Sequence, residues 1–342
     1  MYKIIGKSLS FNDVLLVPKY SEIASRKDVD LSVSIRDFKF AFPIVPSNMK
    51  TITELAMAKL IFSLGGLSIM HRFIDWETQQ KWIEEIGSWK AFEHVGFSIG
   101  VKPEDYEHVS WMIDHGVRII CIDVANGYSK LCLDMIKFVR NKSKDVLLIA
   151  GNVATGEGAK AIWENGADMV KNGIGEGSIC TTRIQTGNGV ASMTSLMSCF
   201  DAKIEMEQIL NKDLYLMQDG GCANSGNLCK ALCFANFVMC GNIFSATSEC
   251  PGDIIEKNGK KYKSYVGSST HKINHKEGVE SLKLFKGPAT KIINEICDGV
   301  KSGLSYQGVS NLIALRKNPE FMTVSHAGII ESSAHDLDEI LS

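Results

Sequence analysis

The sequence predicts an α/β fold, a (β/α)8 barrel. Three observations carry that expectation. Eight short, near-continuous apolar runs recur along the chain, as parallel strands buried on both faces require. Amphipathic stretches with helical punctuation separate them. Glycines, carboxylates and amides cluster where the runs end, which in a barrel is the catalytic face. A doubly wound sheet also accommodates eight strands, but the polar strand ends favour the barrel.

Residues 1–42 contain "LSFNDVLLVP" and "VDLSVSI", read as a short strand layer closing the barrel bottom or edge. The first barrel strand is "PIVPSN" (43–48), ending on Asn48. "TELAMAKLIFSLGG" follows as a helix, with threonine at its start and glycine at its end. "LSIMHR" (67–72) ends on His71 and Arg72 and leads into the helix "WETQQKWIEEIG". Strands "VGFSIG" (95–100) and "VRIICID" (117–123) come next, the latter ending on Asp123 before the helix "KLCLDMIKFVRN". "VLLIAGN" (146–152) ends on Asn152, ahead of the helix "GEGAKAIWENGAD". "DMVKNG" (168–173) opens into a glycine-rich turn, with no helix expected immediately behind it. "LYLMQD" (214–219) ends at Asp219, and "NFVMCG" (236–241) at Gly241. "KGPATKIINEICDGVKSGLSY" supplies a last helix. The stretch 242–285 before it is long for a loop and carries a hairpin pattern with its turn at Asn258–Gly259, so it reads as a flap. Residues 1–342 thus read as one catalytic barrel domain.

Composition narrows the function classes. Apolar residues make up 45%, charged residues 22%, and the net charge is −2, so no basic excess points to nucleic acid. Apolar stretches such as "LCFANFVMCG" (232–241) fall short of the roughly 20 residues of a membrane span. The start shows no apolar run of a signal peptide. Ten scattered cysteines with no C-x-x-C are expected to be reduced, as in the cytoplasm. Cys222, Cys229 and Cys233 are spaced too loosely for zinc.

Residues 173–183 read "GIGEGSICTTR", which is not the G-x-G-x-x-G dinucleotide fingerprint. Its alternating glycines expose backbone groups that can hold an anion or a monovalent cation, or simply make a turn. Ser178 adds a hydroxyl. Cys180 is either a small buried hydrophobe or a nucleophile. Arg183 would favour its thiolate, and Thr182 would relay a proton. In "QDGGC" (218–222), Asp219 can accept both hydroxyls of a ribose, and Gly220 and Gly221 let backbone N–H groups approach a phosphate. With "MCGN" (239–242) this falls after strands seven and eight, the usual phosphate site of a barrel. Asp123 in "CIDVANGYS" (121–129) is a catalytic-face carboxylate or a cap, and Glu277 in "NHKEGVES" (274–281) reads by default as a solvated charge.

Taken with "LSFNDVLLVPKYSE" and "AGNVATGEGAKAIWENGADMVKNGIG", these motifs resemble the IMP dehydrogenase / GMP reductase family from about residue 9 to the C-terminus. The resemblance implies the barrel and a purine nucleotide substrate. Dehydrogenases usually insert two CBS modules after strand two, and this chain has none. They also carry an Arg–Tyr pair on a long flap, whereas only "THKINHK" separates "VGSS" from "EGVES". "IDVANGYS" likewise resembles the reductase branch, while "EGVESLKLFKGP" and "VSHAGIIESSAHD" look like the dehydrogenase. The expected activity is NADPH-dependent reductive deamination of GMP to IMP through a thioimidate on Cys180. The alternative is an IMP dehydrogenase without CBS modules, making XMP with NAD.

The resemblance further implies the following roles. Cys180, Thr182 and Glu277 are catalytic. Asp219 holds the ribose; Ser178, Gly220, Gly221, Gly241 and Tyr265 hold the phosphate. Gly267, Ser268 and Ser269 lie near the base, with Asn242 and Gly278 also contacting substrate. Arg72, Asp123, Val124 and Ala125 line the cofactor side. Carbonyls of Gly175, Gly177 and Cys180 resemble a potassium site, and a homotetramer is expected. Departures are Glu176 where the family has proline, Lys50 where it has aspartate, Asn242 where it has glycine or serine, and Asn274 where the reductase has arginine.

Overall fold

The computed structural model describes residues 4–267 and 280–332. Its centre is a nearly closed, eight-stranded parallel barrel. The strands are β1 (Ile44–Pro46), β2 (Ser68–Met70), β3 (Val95–Ile99), β4 (Ile119–Asp123), β5 (Leu147–Val153), β6 (Met169–Asn172), β7 (Tyr215–Asp219) and β8 (Phe237–Cys240). Ladders join β2 through β8 in chain order, and β8 returns to β1 with Val238 opposite Ile44. The ladder is open between β1 and β2, which pack side by side. All eight runs expected from the sequence are these strands. Their near-complete burial follows from helices covering the outside while side chains fill the inside.

The helices between them are α1 (Leu55–Ser63), α2 (Trp76–Ser88), α3 (Pro103–Asp114), α4 (Lys130–Lys142), α5 (Gly156–Glu164), α6 (Ser192–Leu210), α7 (Ser225–Leu232) and α8 (Ala289–Tyr306). Asp75, Thr155 and Asn224 cap α2, α5 and α7 by accepting a backbone N–H two or three residues into the helix. Thr53 does not cap α1 as its position suggested. Its hydroxyl donates to the Ser47 carbonyl at 2.8 Å, and the helix starts after Glu54. A one-turn helix, Thr182–Thr186, follows the glycine-rich turn where none was expected.

The N-terminal segment caps the barrel bottom. Strands Val33–Ile35 and Phe38–Phe40 form a hairpin, and the Phe40 ring meets Phe237, the first residue of β8, edge-on at 5.3 Å. The strand Val14–Leu16 pairs instead with Phe321–Thr323 near the other terminus. Beyond β8, Ile255–Lys257, Lys260–Val266 and Glu280–Leu284 form a three-stranded antiparallel sheet. Its first turn is the expected Asn258–Gly259, both at positive φ (52° and 70°), the geometry of a tight hairpin. Among the described residues, no helix is long and apolar enough to cross a membrane.

One polar cluster ties the bottom together. Asp168, just before β6, accepts from Arg140 (2.5 Å), Arg36 (3.2 Å) and the Leu148 N–H (2.9 Å). Arg36 comes from the hairpin, Arg140 from α4 and Leu148 from β5, so one carboxylate joins three elements. Replacing it leaves two guanidinium groups without their counter-charge, held only by backbone carbonyls. Asp168→Ala is expected to lower stability on the order of 3 kcal/mol, read as a lower urea midpoint at unchanged m-value.

Candidate active site

Three strand ends converge on one ammonium group. Lys171 lies in β6 with its side chain only 2% exposed. Its Nζ stands 2.8 Å from Asp123 Oδ1 at the end of β4 and 2.5 Å from Asp219 Oδ2 at the end of β7. Asn152 of β5 donates to the same Asp219 oxygen at 2.9 Å and to the Gly173 carbonyl at 2.6 Å. Burial alone would discharge the lysine, but the two carboxylates outweigh it and hold the ammonium well above its ordinary pKa. Burial would likewise push the Asp123 carboxyl up, yet the charge and hydrogen bond of Lys171 hold it below the usual carboxylate value. The mouth therefore keeps two carboxylates against one buried cation, fixed by short bonds.

The glycine-rich turn follows directly from β6. Cys180 N–H donates to the Gly177 carbonyl at 3.0 Å, and Cys180 Sγ lies 3.0 Å from Thr182 Oγ1, a sulfur–hydroxyl hydrogen bond. Eight of the ten cysteines are buried, and burial pushes those thiols up; Cys180 is partly exposed on the cavity wall. Arg183, expected to favour the Cys180 thiolate, braces the loop instead. Its Nε donates to the Ile174 carbonyl (3.1 Å) and its Nη2 to the Val190 carbonyl (2.6 Å). Glu176 points inward with a fully buried side chain, accepting from Gln218 Nε2 at 2.6 Å. Burial pushes its carboxyl up to about 8, against hydrogen bonds from Ser192 and Gln218 and the charge of Arg183.

Across the cavity, Gly220 and Gly221 take φ values of 82° and 77°, the left-handed turn that a side chain resists. A methyl group on Gly221 would also stand 2.6 Å from the Ser192 hydroxyl. Tyr265 reaches in from the accessory sheet and is buried. A methyl group on Gly241 would lie 2.7 Å from its hydroxyl. Burial pushes the Tyr265 phenol up to about 12, against a hydrogen bond with Ser178, so it stays neutral and able to donate. On the opposite wall Arg72 Nε donates to the Asp123 carbonyl at 3.1 Å, and its guanidinium stands 4.9 Å from the Phe73 ring centre.

These groups line one cavity of about 530 Å³ at the C-terminal mouth of the barrel, within the range of small-molecule sites. It brings together the expected Ser178, Cys180, Thr182, Asp219, Gly220, Gly221, Gly241, Asn242, Tyr265 and Gly267. Arg72, Asp123, Val124, Ala125, Gly175 and Gly177 line it as well. Ser268, Ser269, Glu277 and Gly278 lie outside the described residues.

Residues 8–335 match the IMP dehydrogenase / GMP reductase domain. The chain belongs to this family. It is 32% identical to a GMP reductase of Ascaris suum over 97% of each chain. It is 34% identical to GMP reductase 2 of Homo sapiens, over 93% of this chain and 94% of that one. In fold it is similar to GMP reductase from Trypanosoma brucei, crystallised with guanosine 5'-monophosphate, with a TM-score of 0.89, 24% identity, and 97% and 98% of the two chains covered. As a member of the IMP dehydrogenase / GMP reductase family it is homologous to oxidoreductases acting in purine metabolism.

Sequence reasoning about this family member missed Lys171 and gave Asn152 no partner. "DMVKNG" looks like a short strand with a charge at its start, Asp168, and one inside it, Lys171. The available signal was a lysine inside a strand expected to be buried on both faces, which requires carboxylate partners. Lys171→Met leaves two half-buried carboxylates facing each other without their cation, so it is expected to lower stability by about 3 kcal/mol at neutral pH. In the wild type, Asp123 has a depressed pKa and contributes stability that is lost as pH falls through that value. In the variant the unpaired carboxyl instead gains by protonation. The deficit should therefore shrink towards pH 4 in thermal melts; a constant deficit would contradict the pairing.

Proposed function

We propose that the protein is a GMP reductase, converting GMP, NADPH and two protons to IMP, NADP+ and ammonium. The observation that carries this is the partly exposed Cys180, hydrogen-bonded to Thr182 on the wall of a cavity that also holds a carboxylate and a paired-glycine turn. Cys180 thiolate attacks purine C2 and forms a C–S bond. The C2 amino group takes up protons and leaves as ammonia, with Thr182 and Glu277 delivering them. A thioimidate on Cys180 remains. The chemistry that reduced nicotinamide supplies when bound is a hydride at C2. Cleavage of the C–S bond then returns Cys180 and releases IMP.

In this reading Asp219 takes the ribose hydroxyls, leaving its Lys171 and Asn152 bonds on Oδ2 intact. Ser178, Gly220, Gly221, Gly241 and Tyr265 seat the phosphate, and Asn242 and Gly267 complete the substrate side. The wall of Arg72, Phe73, Asp123, Val124 and Ala125 offers a cation, an aromatic face and backbone groups, which fits an anionic nicotinamide cofactor. For potassium, the donors would be the carbonyls of Gly175, Gly177 and Cys180. Among the described residues no group of His, Cys, Asp or Glu side chains could hold a metal ion, and carbonyl oxygen suits a monovalent cation. The setting proposed is a cytoplasmic homotetramer. Ile4, Ile5, Tyr20 and Ile184 are between 82% and 88% exposed, apolar surface that contacts between copies would cover.

Purified protein given GMP and NADPH should lose NADPH absorbance and release ammonium one for one. IMP with NAD+ should give no signal; XMP formation with inert GMP would assign the dehydrogenase activity instead. Cys180→Ala should lower kcat by at least about a thousandfold with little change in GMP affinity. Unchanged turnover in that variant would remove Cys180 as nucleophile.

A further inference from the structure

The mouth of the barrel contains a buried polar relay that the reaction above does not use. It begins at Glu176, whose side chain is fully buried although its neighbours Gly177 and Ser178 are exposed. Its Oε2 accepts from Gln218 Nε2 at 2.6 Å, and the same nitrogen donates to the Gly220 carbonyl at 3.1 Å. Gln218 Oε1 in turn accepts from Asn172 Nδ2 at 2.7 Å, and Asn172 Oδ1 accepts from the Ser195 hydroxyl at 2.6 Å. Gln218, Asn172 and Ser195 are all fully buried.

The position of the relay matters more than its polarity. Asn172 immediately precedes the glycine-rich turn, and Gln218 immediately precedes Asp219. Methyl groups on Gly173 and Gly221 would lie 3.3 and 3.2 Å from Glu176 Oε2, and one on Gly220 would lie 3.3 Å from the Glu176 backbone carbon. The Glu176 carboxyl therefore fills the gap between the two loops. Cys180 is four residues on, with its N–H bonded to the carbonyl of Gly177. The resemblance expects proline at this position. Proline would stiffen the backbone but offer no side-chain acceptor to Gln218.

We infer that Glu176 is a positioning residue, which through Gln218 fastens the Cys180 loop to the Asp219–Gly221 turn so that nucleophile and nucleotide seat keep one relative placement. The inference rests on the reading of Cys180 as nucleophile. Small displacements of a reacting group are costly to rate, so the tie acts on kcat more than on KM.

The test compares Glu176→Ala, Glu176→Gln, Gln218→Leu and the double variant Glu176→Ala/Gln218→Leu, each in the full chain with its Tm measured. Glu176→Gln keeps an oxygen that accepts from Gln218. The double variant removes both partners of the tie and, like Gln218→Leu alone, leaves Asn172 Nδ2 without its acceptor, so Gln218→Leu is its matched control. Glu176→Ala should lower kcat with GMP and NADPH at least about tenfold, with KM for GMP moving less. Glu176→Gln should restore kcat to within about threefold. The double variant should be no slower than the worse single variant. Multiplying losses, or equal damage from Gln and Ala, would overturn the inference.

A second readout does not need turnover. The rate of Cys180 alkylation by iodoacetamide, followed by peptide mass spectrometry, should change in Glu176→Ala and in the double variant and return to wild type in Glu176→Gln. Equal rates in all four proteins would overturn the inference. Wild-type protein that is inert to GMP but shows the expected alkylation pattern would overturn the reaction assigned above and leave the tie standing.

Discussion

A single buried ammonium group organises the mouth of this barrel. Lys171 sits where water cannot solvate it, and it stays charged because Asp123 and Asp219 reach it from two other strands. Each carboxylate in turn has the lysine as its nearest cation. The chemistry-bearing ends of β4, β6 and β7 thus share one electrostatic condition, and none can be reset alone. Asn152 brings β5 into the same arrangement through Asp219 and the first carbonyl of the glycine-rich turn. The barrel supplies strand ends in a ring; this charge cluster fixes their side chains within that ring.

The loops above the cluster are held in a different way. The turn at Gly220–Gly221 depends on left-handed backbone that glycine alone adopts without strain. The Cys180 loop depends on side chains. Arg183 laces it to Ile174 and Val190 and stands 3.7 Å from Glu176, which in turn anchors it to Gln218. Loops usually carry function because a rigid scaffold presents them. Here the presentation is completed by buried polar bonds at the strand ends.

Much of this was legible in the sequence. The eight strands could be read because burial on both faces turns each into an apolar run, and that signal is local. Asp123, Cys180, Asp219 and Gly241 could be placed on one cavity because barrel topology brings strand ends together once the strands are counted. What could not be read was pairing across distance. Lys171 and its partners are 48 residues apart on either side, and neither interval carries a pattern. Nearness in sequence points Arg183 at Cys180, but its guanidinium turns back to the carbonyls of its own loop. The strand Glu280–Leu284 has no signature of its own in the sequence, since it is defined by its pairing with Lys260–Val266 rather than by composition. Glu176 was visible only as a departure, and its partner Gln218 gave no sign of its role.

Tyr265 gives the accessory sheet a thermodynamic consequence. The residue belongs to the strand Lys260–Val266, yet its ring is buried in the barrel mouth with its hydroxyl over Gly241. Peeling that strand away would dismantle part of the cavity wall. A ligand held on that wall therefore binds only when the sheet is docked, and by mass action it stabilises the docked form by RT ln(1 + [L]/Kd). The amides of a surface sheet should then exchange with solvent at rates set by the concentration of a small molecule in the barrel, so that the sheet reports occupancy.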